Sequence, residues 1–271
     1  MRLPPCCANS ILGVSCIKVW SLMDVFSPLG FSWDRSAIPT NISTHSVDLV
    51  CFRFHQMLPQ FVWDAGVLEG NPFTFPEVKT LLDGITVGGH RISDEQQILN
   101  LAESSQHLLS LVKQGTFLLT KETFCRLNAI VSRNEALEWG HFRGEGSEHS
   151  YAPRVALGPS GFYTPLATTP GAPGLNRVFD QGLRALGELA PFEQGLAFFL
   201  FGALHQFFFD GNKRTSRLMM NGLLMSHGID AISIPAASAQ RFHATMVGFY
   251  TSKDGTPMMQ FLVECFERLN G

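Results

Sequence analysis

The chain has 271 residues, with 20 Lys+Arg against 23 Asp+Glu and a net charge of −3. That length supports one large core or two small ones. Hydrophobic residues make up 45% and charged residues 16%, against a usual charged share of roughly 25%, which argues against a disordered chain. The balanced charge also argues against a general nucleic-acid binder, whose surface would be basic.

Residues 1–45 read as a leader, irregular or poorly ordered. Ile11–Ile17 is a short apolar run there, but no clean signal-peptide cleavage site follows it. Cysteines stand at 6, 7, 16, 51, 125 and 265 without a C-x-x-C pair, so neither a zinc site nor a redox motif is signalled. Reduced thiols in a cytoplasmic protein are expected. Residues 46–114 form an N-terminal helical region. Val47–Val62 is helix-like with Pro59 interrupting it, and Asp64–Asn71 reads as turn chemistry. Pro76 opens a short helix to Leu82, ended by Asp83-Gly84. Ser93-Asp-Glu-Gln96 has the form of a capping box, predicting a helix from Asp94 to about Val112.

Residues 115–271 form the core domain. Thr120 caps a helix over about Lys121–Ser132. Gly140–Thr169 is rich in Gly, Pro, Ser and Tyr. Within it, Arg154–Leu157 and Phe162-Tyr163 flank Gly158–Gly161 as a β-hairpin. Pro170–Gly174 is a linker. Helices follow at about Leu175–Gly187, Pro191–Leu204 with Pro at its first position, Arg214–His227 stopped by Gly228, Ala237–Tyr250 and Pro257–Leu269. The uncharged stretch Gln194–Phe209 is shorter than the ~20 residues of a membrane span and ends in Asp-Gly-Asn-Lys-Arg, so it reads as a helix buried on all sides. The fold class is all-α with one inserted hairpin.

The informative segment is His205-Gln-Phe-Phe-Phe-Asp-Gly-Asn-Lys-Arg-Thr-Ser-Arg217. A buried helix runs into a short loop, and a second helix begins near Arg214. Main-chain N–H groups of Gly211, Asn212 and Lys213 can form an anion nest at that helix's positive end. Arg214 and Arg217, three apart, can face one anion, and guanidinium suits phosphate. Asp210 offers a carboxylate for Mg²⁺, and His205 is the nearby general base. No Walker-type G-x-x-x-x-G-K-[ST] is present. Any one of these residues alone would pass as part of a solvated turn; the string as a whole does not.

That string resembles the signature of the Fic family, His-x-Phe-x-Asp/Glu-Gly-Asn-Gly/Lys-Arg-x-x-Arg, matched in order by Asp210, Gly211, Asn212, Lys213, Arg214 and Arg217. The resemblance implies a Fic-type helical bundle with a β-hairpin flap, here His141 through Tyr163. It implies ATP and Mg²⁺, and transfer of AMP to a Ser, Thr or Tyr hydroxyl of a protein substrate. A phosphate-transferring variant, as in the Doc branch, and a homo-oligomer are both compatible with it. Membrane or direct nucleic-acid partners are not expected. One departure stands out. The family's catalytic His lies four residues before the acidic residue, whereas His205 lies five before Asp210 and Gln206 lies four before it. Either the loop carries an extra Phe and His205 is the base, or Gln206 holds that position and transfer is weak or absent.

Ala65-Gly-Val-Leu-Glu69-Gly70 is similar to the inhibitory motif of one Fic branch, Ser/Thr-x-x-x-Glu-Gly/Asn, with Ala65 in place of the hydroxyl residue. The resemblance implies that Glu69 pairs with Arg217 and obstructs the γ-phosphate seat. His141, His149, Arg154 and Tyr163 are weak candidates for touching a target. His227 is a helix-end residue favourable to the dipole, and Met219, Met220 and Met225 belong to the core.

Overall fold

The computed structural model describes residues 24–270. The Ile11–Ile17 run and Cys6, Cys7 and Cys16 lie outside the described residues. Among those described, Cys51, Cys125 and Cys265 are free thiols. The elements are helices α1 (Phe26–Leu29), α2 (Val47–Gln56), α3 (Leu58–Leu68), α4 (Phe75–Leu82), α5 (Ile92–Lys113) and α6 (Lys121–Val131), followed by strands β1 (Val155–Ala156) and β2 (Phe162–Tyr163). Helices α7 (Pro173–Leu186), α8 (Pro191–His205), α9 (Asn212–Ser226), α10 (Ala239–Ser252) and α11 (Thr256–Asn270) complete the described residues. It is the all-α bundle with one hairpin that the periodicity predicts. Among the described residues, no helix is long and apolar enough to cross a membrane.

Helices α8 and α9 pack side by side at the centre, with α5 and α6 against α9 and with α7 and α11 against α8. Helix α8 is buried on all sides from Gly195 to Leu204, as its lack of charge requires. The two central helices approach closely because Gly202 has no side chain: a Cβ there would stand 2.0 Å from Ser216 Oγ. Phe124, Phe142, Phe179, Phe198 and Phe207 form one aromatic cluster beside them, with ring centroids 4.8–6.4 Å apart where they meet. Such edge-to-face and stacked pairs add about 0.5–1.5 kcal/mol each beyond their buried area.

Two local expectations are corrected. Helix α3 does not give way to a turn at Asp64 but runs to Leu68. Asp64 is buried, and its carboxylate accepts hydrogen bonds from Gln60 Nε2 (3.0 Å), Ser233 Oγ (2.8 Å) and the Ala236 amide (2.8 Å). Those tertiary contacts hold the helix through the turn-forming residues, and the chain reverses only at Gly70, with φ at +79°. Helix α5 starts at Ile92, so Ser93 lies inside its first turn. Gln96 therefore has no cap to reciprocate and donates to Asn100 Oδ1 at 2.9 Å. Thr120, by contrast, does cap α6, its side chain accepting from the Thr123 amide.

The described part of the leader lies on the bundle. Leu29, Phe31, Trp33 and Ile38 are buried. Trp33 Nε1 and Arg35 both donate to the carboxylate of Glu193 in the first turn of α8, at 2.6–2.9 Å. In the hairpin Val155 pairs with Tyr163 and Ala156 with Phe162. Tyr163 stacks on Tyr250 of α10 at 5.1 Å, and Lys253 Nζ stands 3.8 Å from its ring centre. The flap is thereby fastened to α10.

Candidate functional site

The loop between α8 and α9 closes on itself through Asn212. Asn212 Oδ1 accepts from the Phe208 amide and its Nδ2 donates to the Phe208 carbonyl, both at 2.9 Å. Asn128 Nδ2 and Ser132 Oγ, both from α6's end of the bundle, donate to the Asp210 carbonyl at 3.1 Å. Gly211 has φ at +73°, and a Cβ there would lie 2.1 Å from Ser132 Oγ, so only glycine fits. Phe207 and Phe208 are fully buried and fasten the loop to the aromatic cluster.

This loop walls a cavity of about 360 Å³, lined on the loop side by Gln206, Asp210, Gly211, Asn212 and Lys213, and on the flap side by Tyr151 and Arg154. Helix α9 begins there with no side-chain cap. Its first-turn N–H groups, which have no intrahelical partner, and the positive end of its dipole favour an anion. Asp210 is 56% exposed; its Oδ1 accepts the Gly211 amide at 2.6 Å and its Oδ2 meets Arg214 Nη2 at 3.2 Å.

The predicted cations are not equally free. Arg214 is almost fully buried, and its Nη1 donates to Glu135 Oε2 at 2.6 Å. Glu135 is in turn held by Gln97 and Asn100. Arg214 is thus bonded to Glu135 and Asp210, while its charge, like that of Arg217, also acts on Glu69. Arg217 Nη2 lies 3.5 Å from Glu69 Oε1, and Lys213 Nζ lies 3.4 Å from Glu69 Oε2. Arg217 Nη1 is buried without a hydrogen-bond partner. Burial works against ionisation of Glu69, but Lys213, Arg217 and Arg214 outweigh it and hold its carboxyl below the usual range. Glu69 thus stands as a resident anion at the cavity wall.

His205 and Gln206 part company at the end of α8. Gln206 caps the helix in the left-handed region, φ 49° and ψ 60°. Its side chain lines the cavity, with Oε1 accepting from Asn212 Nδ2 at 3.1 Å and Nε2 donating to the Ala203 carbonyl at 2.6 Å. Tyr250 Oη lies 3.4 Å from the same nitrogen. His205 turns the other way. Its Nε2 donates to the Leu29 carbonyl at 2.9 Å, and its ring packs on Phe201 and Phe207. Burial pulls its pKa down to about 4, so the imidazole is neutral at neutral pH.

The residues fit a magnesium-bound nucleoside triphosphate. The uncapped helix end, Lys213 and the unpartnered Arg217 nitrogen suit phosphates, and the exposed Asp210 oxygen suits a cation shared with them. Among the described residues no cluster of three or more His, Cys, Asp or Glu side chains could hold a metal by itself. Asp64, Glu135, Arg143 and Tyr250 were missed by the sequence reasoning, since nothing local marks a residue whose partner lies far along the chain.

Two curated relatives are similar to this chain in sequence. Proteins named protein adenylyltransferase Fic from Drosophila willistoni and Drosophila melanogaster are 23% identical over 210 residues and 24% over 217. Each match covers 77% of this chain and 40% of the relative. In sequence the chain is similar to these Fic proteins. It spans about 40% of the length of these Fic relatives. The Fic fold is matched by solved structures: Fic-1 from C. elegans superposes with a TM-score of 0.63 at 17% identity, covering 84% of this chain and 66% of that one. A Fic-domain signalling protein from Bacteroides thetaiotaomicron gives 0.63 at 17%, covering 90% and 91%. No family model matches the chain.

Proposed function

We propose that this protein is a Fic-fold nucleotide-binding module that takes magnesium-bound ATP at the α8–α9 loop and transfers AMP slowly or not at all. The observation that carries this reading is the side chain facing the cavity. Gln206 lines it, whereas His205 is bonded to Leu29 outside it. An amide cannot accept a proton at neutral pH, so the step that would deprotonate an attacking hydroxyl lacks its base. In this reading the α9 N–H groups and Lys213 receive the phosphates. Arg217 receives the γ-phosphate after Glu69 leaves it, because a carboxylate and a phosphate oxygen compete for the same guanidinium. Asp210 would hold Mg²⁺ together with phosphate oxygens, and the ion would neutralise phosphate charge. Glu69 in this position acts as a brake.

A second reading keeps the protein as an adenylyltransferase for protein hydroxyls, and the names of its relatives favour it. The two part on one experiment. Transfer from α-labelled ATP is measured in the wild type, Gln206→His and His205→Ala, with ATP binding followed by calorimetry. The module reading expects ATP binding with little transfer. It expects Gln206→His to raise transfer toward the 10²–10⁴-fold that a positioned base contributes, and His205→Ala to change little. Robust wild-type transfer abolished in His205→Ala would replace it with the second reading.

A further inference from the structure

Arg143 has a fully buried side chain and no carboxylate partner. Its Nε donates to the main-chain carbonyl of Gln206 at 2.6 Å, and its Nη1 to Thr168 Oγ1 at 2.8 Å. Its own amide donates to the carbonyl of Phe207 at 2.9 Å. Nη2 has no hydrogen-bond partner. A buried cation without a counter-ion is unfavourable unless its hydrogen bonds fix something that needs fixing.

What they fix is the residue at which α8 ends. Gln206 is one of only a few described non-glycine residues at positive φ, a conformation in which Cβ crowds the following carbonyl. Left to itself, the chain would favour one more helical residue. That would place side chain 206 about 100° from His205 around the helix and change its aim into the cavity. A charged donor makes a bond roughly twice as strong as a neutral one, and here one residue holds two successive carbonyls just past the helix end.

We infer that Arg143 is the positioning residue of the signature loop: by holding the carbonyls of Gln206 and Phe207 it ends α8 at His205 and turns side chain 206, not 205, into the cavity. Its bearing on chemistry rests on the reading of that cavity as the nucleotide site, but its geometry does not. Thr168 belongs to the same device. Its hydroxyl accepts from Arg143 and donates to the Tyr151 carbonyl at 2.5 Å, linking the clamp to the flap segment.

The test uses the full chain without nucleotide. Labelling Gln carbonyls with ¹³C and Phe amides with ¹⁵N leaves three coupled pairs: Gln60–Phe61, Gln206–Phe207 and Gln260–Phe261. Arg143→Met should move or broaden the Gln206–Phe207 signal and leave the other two in place. Arg143→Lys, which keeps the charge, should restore part of the shift. Thr168→Val, which removes one anchor and keeps the guanidinium, should move the same signal less, and it serves if Arg143→Met does not fold. An unmoved Gln206–Phe207 signal in the folded variants, or equal movement of all three pairs, overturns the assignment. Because no ATP is present, failure here is separable from failure of the nucleotide reading, which calorimetry decides.

Discussion

His205 ends α8 with its imidazole bonded to the Leu29 carbonyl and packed on Phe201 and Phe207. A histidine in open solvent titrates near 6.5, but burial against Leu29, Phe201 and Phe207 lowers this one to about 4. The unfolded chain therefore binds a proton on this residue between about pH 6.5 and 4 that the folded chain excludes. Its contribution to stability is complete above pH 6.5 and is lost as the pH falls toward 4, by up to about 3 kcal/mol. Urea denaturation followed from pH 7 to 4 should show this loss, and His205→Gln should flatten that part of the profile. An unchanged slope in the variant would mean that the imidazole is charged or solvated in the folded protein.

At the scale of elements, α3 and α9 are joined by one carboxylate between two cations. Glu69 sits at the C-terminal end of α3, and Lys213 and Arg217 lie on the first turns of α9. The buried Asp64 fastens the same helix to residues 233–236, so α3 approaches α9 at a defined rotation. Glu69→Gly should tighten ATP binding by about tenfold, the equivalent of one charged hydrogen bond of modest strength. The same change leaves two partly buried cations without an anion, so the unliganded protein should lose about 2 kcal/mol of stability. Calorimetry and thermal unfolding on one preparation check both signs. A bystander Glu69 would move neither, and a purely structural Glu69 would lower stability without improving affinity.

Across the whole molecule, residues 24–45 and the start of α8 are held together by Glu193. This carboxylate takes the indole N–H of Trp33 and a bidentate contact from Arg35, and its side chain is only 7% exposed. His205 at the other end of α8 meets the same segment at Leu29. The segment thus contacts both ends of the central helix and helps to bury the imidazole. Glu193→Ala should cost about 1–3 kcal/mol, mostly from the stranded indole N–H, since Arg35 can turn to solvent. Tryptophan emission should shift to longer wavelength as Trp33 becomes hydrated. Unchanged emission and stability would show that apolar burial alone holds the segment.

The class of fold and the position of the loop follow from local sequence. Helices α6 through α11 are legible because their apolar periodicity, the cap at Thr120, Pro191 and the stop at Gly228 act within a few residues of each other. Asp210-Gly-Asn-Lys-Arg214 is legible for the same reason: the tight turn and the helix start are local events. Which side chain enters the cavity depends instead on long-range packing. His205 and Gln206 are neighbours at a helix end, where a one-residue difference in termination turns a side chain by about 100°. That termination is held by Arg143, 63 residues away, and by Asn212 across the loop. The pairing of Glu69 with Arg217 joins residues 148 apart, and the occupation of Arg214 by Glu135 joins residues 79 apart. Spacing along the chain carries no information about contacts of that kind, because they arise only when packed helices bring distant side chains within hydrogen-bond reach.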